Sequence, residues 1–275
     1  MERDHPVAKE GEGSEMPKIE VLEETENSIK FILRDASTAL ANSFRRAMKS
    51  LVPTLAIDYV DFYLNTSFLY DEIIAHRLAL IPIKTDLDRF NFQDKCSCGG
   101  VGCPNCQVSF RLNVEGPKVV YSGDLISDDP EIKPAYDNIP IIELYKGQQL
   151  MIEAFARLGT GKEHSKFQPV SVCFYKIIPD IKINSCSLCG ECVKACPRNI
   201  LKIEKDRVVV TNVLECSFCL DCVRACEEKA IEIKETNDFL FTVEGTGALP
   251  IRTVMRKALE ILKEKAEEMI KILEI

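Results

Sequence analysis

The chain has 275 residues, enough for one large domain or two to three smaller ones, with 46% hydrophobic and 28% charged residues. No stretch approaches the roughly 20 apolar residues that span a bilayer, so no membrane association is expected. A net charge of −8 argues against a protein whose main work is gripping phosphate backbones, and no direct sequence-specific nucleic-acid contact is expected.

Residues 1–17, MERDHPVAKEGEGSEMP, lack the apolar core of a secretory signal, and this acidic, glycine-containing segment predicts a disordered tail. Ser28 to Arg34 alternates Ile29, Phe31 and Leu33 with more polar neighbours and predicts a strand. Asp35 or Ser37 can cap a helix from about Thr38 to Ser50, on which Leu40, Phe44, Ala47 and Leu51 form one apolar face. Arg45 and Arg46 flank that face; the ordinary reading of such a pair is a solvated helix side. Pro53 closes the helix. Leu55 to Phe68 predicts a second strand, followed by a helix from Asp71 to about Leu80, on which His76 is expected as a contact or core residue.

From Pro82 to Pro169 turn signals separate short strands such as VSFRLNV and VVYSG, and Lys84, Asp86, Asp88 and Arg89 read as loop charge. Cys173, in the alternating run SVCFYKI, is expected to be a small buried residue. A cysteine-rich module opens at Pro179 and closes near Thr236. Phe239 to Val243 predicts another strand, Gly245 and Gly247 a turn, and Pro250 the start of a final helix. Along that helix Met255, Leu259, Leu262, Ala266, Met269 and Leu273 recur at alternating spacings of four and three, widened by Ile251, Ala258, Ile261, Ile270 and Ile272. So broad a stripe must be covered, by the chain itself or by a partner helix. The strand–helix segments flanking the cysteine-rich and mixed regions look like halves of one domain, with the rest inserted between them.

The thirteen cysteines fall into groups of four, eight and one, a segregation that indicates metal thiolates in a reducing cytoplasm rather than a disulfide scaffold. Cys186-x2-Cys189-x2-Cys192-x3-Cys196 recurs thirty residues later as Cys216-x2-Cys219-x2-Cys222-x3-Cys226, an internal duplication. In such a pattern three cysteines wrap one cluster and the fourth serves the other. The spacing therefore predicts two [4Fe–4S] clusters, one on Cys186, Cys189, Cys192 and Cys226, the other on Cys196, Cys216, Cys219 and Cys222. A [3Fe–4S] form would follow from oxidative loss. Glu227 stands where a proline is expected after the second run, which can loosen a turn but removes no ligand. Cys96, Cys98, Cys103 and Cys106 form two close thiol pairs around a glycine-rich turn, which suits a closed, structural Zn²⁺ site; local disulfides or free thiols are the alternative.

Gly159-Thr160-Gly161-Lys162 suggests a phosphate loop, but Ala156 and Glu163 occupy positions that the full pattern reserves for Gly and Ser or Thr. His5, His76 and His164 form no metalloprotease or hydrolase pattern, and no nucleophile or general base stands out.

A dicluster module by itself suggests a ferredoxin-type electron-transfer subunit of an oxidoreductase. The flanks suggest otherwise. NSFRRAMKSLVPTLAIDYV, DEIIAHRLALIPI, GTGKEHSKFQPVSVCFYK, FTVEGTGALP and the final helix resemble the D-type family of archaeal RNA polymerase subunits. That family is similar to the third-largest eukaryotic polymerase subunit and to the amino-terminal domain of the bacterial alpha subunit, and the resemblance extends over nearly the whole chain beyond residue 17. It implies an α+β fold. Residues 18–54 and 239–275 would form a discontinuous alpha-subunit-like dimerisation domain. Residues 55–178 would be an inserted mixed α/β domain carrying the zinc-type loop 96–106, and 179–238 a ferredoxin-like domain. The resemblance further implies a non-catalytic, cytoplasmic assembly subunit that pairs with subunit L through Leu40, Phe44, Met255, Leu259, Leu262, Met269 and Leu273. The pair would then recruit subunits N and P and the two large catalytic subunits, the latter touching Arg45, Arg46 and the 76–82 region.

Overall fold

The computed structural model describes residues 16–273, so nearly all of the expected tail at 1–17 lies outside the described residues. In chain order the elements are β1 (Lys18–Glu24), β2 (Ser28–Arg34), α1 (Thr38–Ser50), β3 (Pro53–Asn65), α2 (Asp71–Ala79), β4 (Gln107–Glu115), β5 (Lys118–Tyr121), β6 (Ile126–Ser127), β7 (Pro140–Leu144) and β8 (Gln149–Thr160). There follow β9 (Val170–Ile183), α3 (Glu191–Ala195), β10 (Leu201–Glu204), β11 (Arg207–Val210), α4 (Asp221–Arg224), β12 (Ile231–Gly245) and α5 (Ile251–Leu273). The fold is α+β, with most of the regular structure in sheets.

The chain forms two compact units. Among the described residues, one holds 16–22, 30–41 and 175–241; the other holds 23–29, 42–174 and 242–273. The three-part division expected from the sequence places boundaries at 178/179 and 238/239. Both fall inside single long strands, β9 and β12, so no linker separates the chain there.

Four strands form a sheet in the order β1-β2-β12-β9. Phe31 of β2 stacks on Phe241 of β12 with ring centroids 4.9 Å apart, and Tyr175 of β9 meets Phe239 edge-on at 5.3 Å. Such aromatic pairs contribute about 1 kcal/mol each beyond their burial. Every residue of β1 is exposed, which is why it carries no half-buried alternation for a sequence reading to find.

In the second unit, β3-β8-β4-β6 form an antiparallel sheet. Its inner face follows from period-two alternation: Leu150, Ile152, Ala154, Ala156 and Leu158 on β8 stand beside Val108, Phe110 and Leu112 on β4, all buried. Two register shifts in β3, at Ile57/Tyr59 and Phe62/Leu64, break its alternation. They leave Tyr59 and Tyr63 exposed.

Helix α1 is capped by Ser37, whose Oγ accepts the Leu40 N–H at 3.1 Å, whereas Asp35 lies in a left-handed turn before it. Its buried face is Ala41, Phe44, Ala47 and Met48; Leu40, expected on that face, is 37% exposed. His76 on α2 is exposed, so it is not a core residue.

The glycines of the failed phosphate-loop motif have a packing reason. A Cβ at Gly159 would stand 2.6 Å from the buried Phe167 ring, and one at Gly161 would stand 2.3 Å from the Lys49 carbonyl oxygen. The backbone at Gly161 therefore runs against the end of α1, where Lys162 N–H donates to Ser50 O at 3.0 Å. Gly161→Ala is expected to cost about 2 kcal/mol through overpacking, read as a lowered thermal midpoint; an unchanged midpoint would remove this account of the motif.

Candidate metal centres and partner surface

The loop between α2 and β4 builds its site from two tight turns. Gly99 N–H donates to Cys96 O at 3.0 Å, and Cys106 N–H donates to Cys103 O at 2.9 Å. Gly99, Gly100 and Gly102 all take positive φ between these turns, a conformation that side chains resist, and so the chain reverses sharply enough to bring the pairs together. All four sulfurs lie within 4.8 Å of one another. The separations are 3.5 Å for Cys96–Cys103, 3.6 Å for Cys98–Cys106 and 3.8 Å for Cys103–Cys106. Sulfurs at zinc-bond length on a tetrahedron stand about 3.8 Å apart. A disulfide would need about 2.05 Å. The four sulfurs therefore outline a tetrahedron able to hold one thiophilic ion.

The electrostatics are uneven. The Cys98 thiol falls to about 6, chiefly because the Gly102 amide hydrogen-bonds its sulfur. Burial pushes the Cys106 thiol up to about 12. One thiolate is thus available near neutrality, while Cys106 needs a cation beside it to ionise.

The cysteine-rich module repeats its backbone as well as its cysteines. Leu188 and Phe218 both take positive φ (65° and 58°), as do Gly190 and Leu220 (81° and 63°), and Asn199 and Lys229 (52° each). These pairs are thirty residues apart, so each half uses the same left-handed bends to wrap its three-cysteine loop before α3 or α4. The bends turn amides toward sulfurs: Leu188 N–H donates to Cys186 Sγ at 3.4 Å, and Ala230 N–H to Cys226 Sγ at 3.3 Å.

The eight thiols sort into two groups. The Cys192 thiol is pushed up by burial and then by Cys186, Cys226 and Cys189. The Cys222 thiol is pushed up by burial and, among its thiol neighbours, by Cys196, Cys216 and Cys219. The fourth cysteine of each run thus lies with the three of the other. Cys196, Cys216, Cys219 and Cys222 also line one small apolar cavity with Ile200 and Ile233. Among the described residues, only the 96–106 loop brings its sulfurs within 4.8 Å of one another.

Cys173 is half-buried rather than buried, because β9 does not alternate cleanly there. Its Sγ lies 3.8 Å from Arg45 O, and burial pushes its thiol up to about 11.

The residues expected at a partner surface divide. Phe44 and Met255 are buried within the chain, since they sit on the inner faces of α1 and α5. Leu262 is half-buried and Leu259 exposed; further along α5, Met269 is 64% and Leu273 80% exposed. Ile270 and Ile272, which widen the stripe, are exposed too. Arg45 is held by Asn42, whose Oδ1 accepts from Nε and Nη2 at 3.2 and 3.0 Å, while Arg46 is exposed. Phe68, Tyr70, Ile73 and Leu80 around α2 form a further exposed apolar group, beside the expected 76–82 contact region.

Residues 60–179 match the RNA polymerase Rpb3/RpoA insert domain, and residues 179–227 match the 4Fe-4S dicluster domain. The two matches meet at residue 179. Three relatives, each named DNA-directed RNA polymerase subunit Rpo3, come from Archaeoglobus fulgidus, Methanosarcina acetivorans and Pyrococcus furiosus. The first is 70% identical over 94% of this chain and 98% of its own length. The second is 45% identical over 94% and 98%, and the third 40% identical over 92% and 95%. The polymerase-subunit resemblance drawn from NSFRRAMKSLVPTLAIDYV and its companion segments is borne out, as is the α+β fold class. With that identity sustained along nearly all of its length, the chain belongs to the Rpo3 family of DNA-directed RNA polymerase subunits.

Proposed function

We propose that the chain is a non-catalytic assembly subunit of a cytoplasmic polymerase. It pairs with the smaller subunit L, and the pair then recruits subunits N and P and the two large catalytic subunits. The observation that carries this reading is α5. Its first turns are anchored by Ile251, Val254, Met255 and Ala258, while Leu259, Met269, Ile270 and Leu273 stay exposed on the remainder. A helix pinned at one end, with an apolar stripe along its free length, is built to meet another helix. Burying side chains of this size stabilises an interface by about 1.5–3 kcal/mol each.

The thiol groups support two [4Fe–4S] clusters, one on Cys186, Cys189, Cys192 and Cys226, the other on Cys196, Cys216, Cys219 and Cys222. The 96–106 loop supports one structural zinc. Bound metal would supply the positive charge that keeps these sulfurs ionised. The chain's own part is to bend, cap and bury the thiols so that they converge.

Met269→Glu combined with Leu273→Glu is expected to weaken association with subunit L by roughly a hundredfold or more, because two carboxylates would enter an apolar seam. Both side chains are exposed in this chain, so its own circular dichroism should not change. Undiminished association, measured by titration calorimetry, would sink the pairing surface.

A further inference from the structure

The two halves of the module match closely in charge until one place. Glu191 pairs with Lys194 at 2.8 Å, and their counterparts thirty residues on, Asp221 and Arg224, pair likewise. After the fourth cysteines the match fails. Cys196 is followed by Pro197 and Arg198, but Cys226 is followed by Glu227 and Glu228. Each fourth cysteine lies with the other run, so the difference is delivered to opposite sites. Arg198 lines the cavity shared by Cys196, Cys216, Cys219 and Cys222. Glu228 reaches the other loop, where its Oε2 accepts the Ser187 N–H at 3.1 Å, next to Cys186.

One further cation faces the Cys196 group: Lys176 Nζ donates to Cys216 O at 3.4 Å. Exposure runs the same way. Cys196, Cys216 and Cys222 are buried and Cys219 is half-buried. In the other group only Cys192 is buried, Cys186 and Cys226 are half-buried, and Cys189 is exposed.

We infer that the two cluster sites are unequal, the Cys186 site giving up its iron readily and the Cys196 site retaining it. This rests on the cluster reading above. A cluster held by four thiolates is a net anion. Nearby carboxylates disfavour it and nearby cations favour it, most strongly where water is excluded. Exposure also sets how easily a competing ligand reaches the iron. The Cys196 site is then the durable brace of the module.

The test uses the iron-loaded full chain in complex with its polymerase partner, under anaerobic conditions. It is exposed to the neutral ferrous chelator 2,2′-bipyridine, and freed thiols are trapped with iodoacetamide at intervals and mapped by mass spectrometry. Cys186, Cys189, Cys192 and Cys226 should be labelled first, with half the iron leaving roughly tenfold faster than the rest. Glu228→Arg should narrow that gap, and a gap it leaves unchanged overturns the charge argument. Simultaneous labelling of all eight thiols, or the reverse order, overturns the inference while leaving two clusters in place. Protein that carries no iron as isolated would overturn the cluster reading and this inference together.

Discussion

Cys222→Ala is expected to empty one cluster site and unfold the module between about residues 184 and 230, while the β3-β8-β4-β6 sheet stays folded. The reason lies in what the module buries. Its fully buried aliphatic core is small, Ile200, Leu201, Val208 and Ile231, and it is completed by Cys192, Cys196, Cys216 and Cys222, with Ile181, Val193 and Ile233 partly buried against it. The local elements do little to help, since α3 and α4 span five and four residues and β10 and β11 four each. Ligation is therefore expected to supply much of the module's stability, as in other small domains that fold only on their metals. Hydrogen exchange should show amide protection in this segment falling by about a hundredfold or more, with β8 unaffected. Native protection in the cluster-free variant would contradict the claim that the clusters hold the module together.

The second large effect concerns the 96–106 loop. Cys106→Ala should lower bound zinc from one ion per chain to none and cost on the order of 3 kcal/mol in stability. Cys106 is fully buried and leads straight into β4, so its loss frees the loop at the point where it joins the sheet. The unit should nonetheless remain folded, because Leu55, Ile57, Val108, Phe110 and Ile152 belong to a separate, extensive apolar core. Elemental analysis alongside a melting curve decides the matter. Zinc-free wild-type protein with the same melting point as the variant would overturn the assignment.

Much of the fold was readable where a single face is buried. Ser28–Arg34 and Thr38–Ser50 come out of the sequence with their bounds intact, because the alternation in one and the Ser37 cap of the other are local signals. β1 escapes notice for the opposite reason, being exposed along its whole length. The lengths of β9 and β12 are equally hidden, since these strands carry one pattern through the sheet and another into the module. Spacing alone singles out all twelve clustered cysteines, because short intervals between like residues are visible in the sequence. The partner face was legible only in part. A helical stripe cannot tell which of its turns the chain covers itself, and so Phe44 and Met255 read like Met269 and Leu273 until the packing separates them. The glycine pair at 159 and 161 shows the same limit: a close backbone approach and a phosphate cradle call for the same residue.

The central claim, that this chain is a scaffold on which a polymerase assembles, is tested most directly by isolating the tagged native protein and identifying what remains bound after a high-salt wash. Apolar burial along α5 is little screened by salt. The expected result is therefore a stoichiometric small partner, with the two large polymerase subunits accompanying the pair under milder washing. A chain recovered alone, or with a redox enzyme in place of polymerase subunits, would contradict the account.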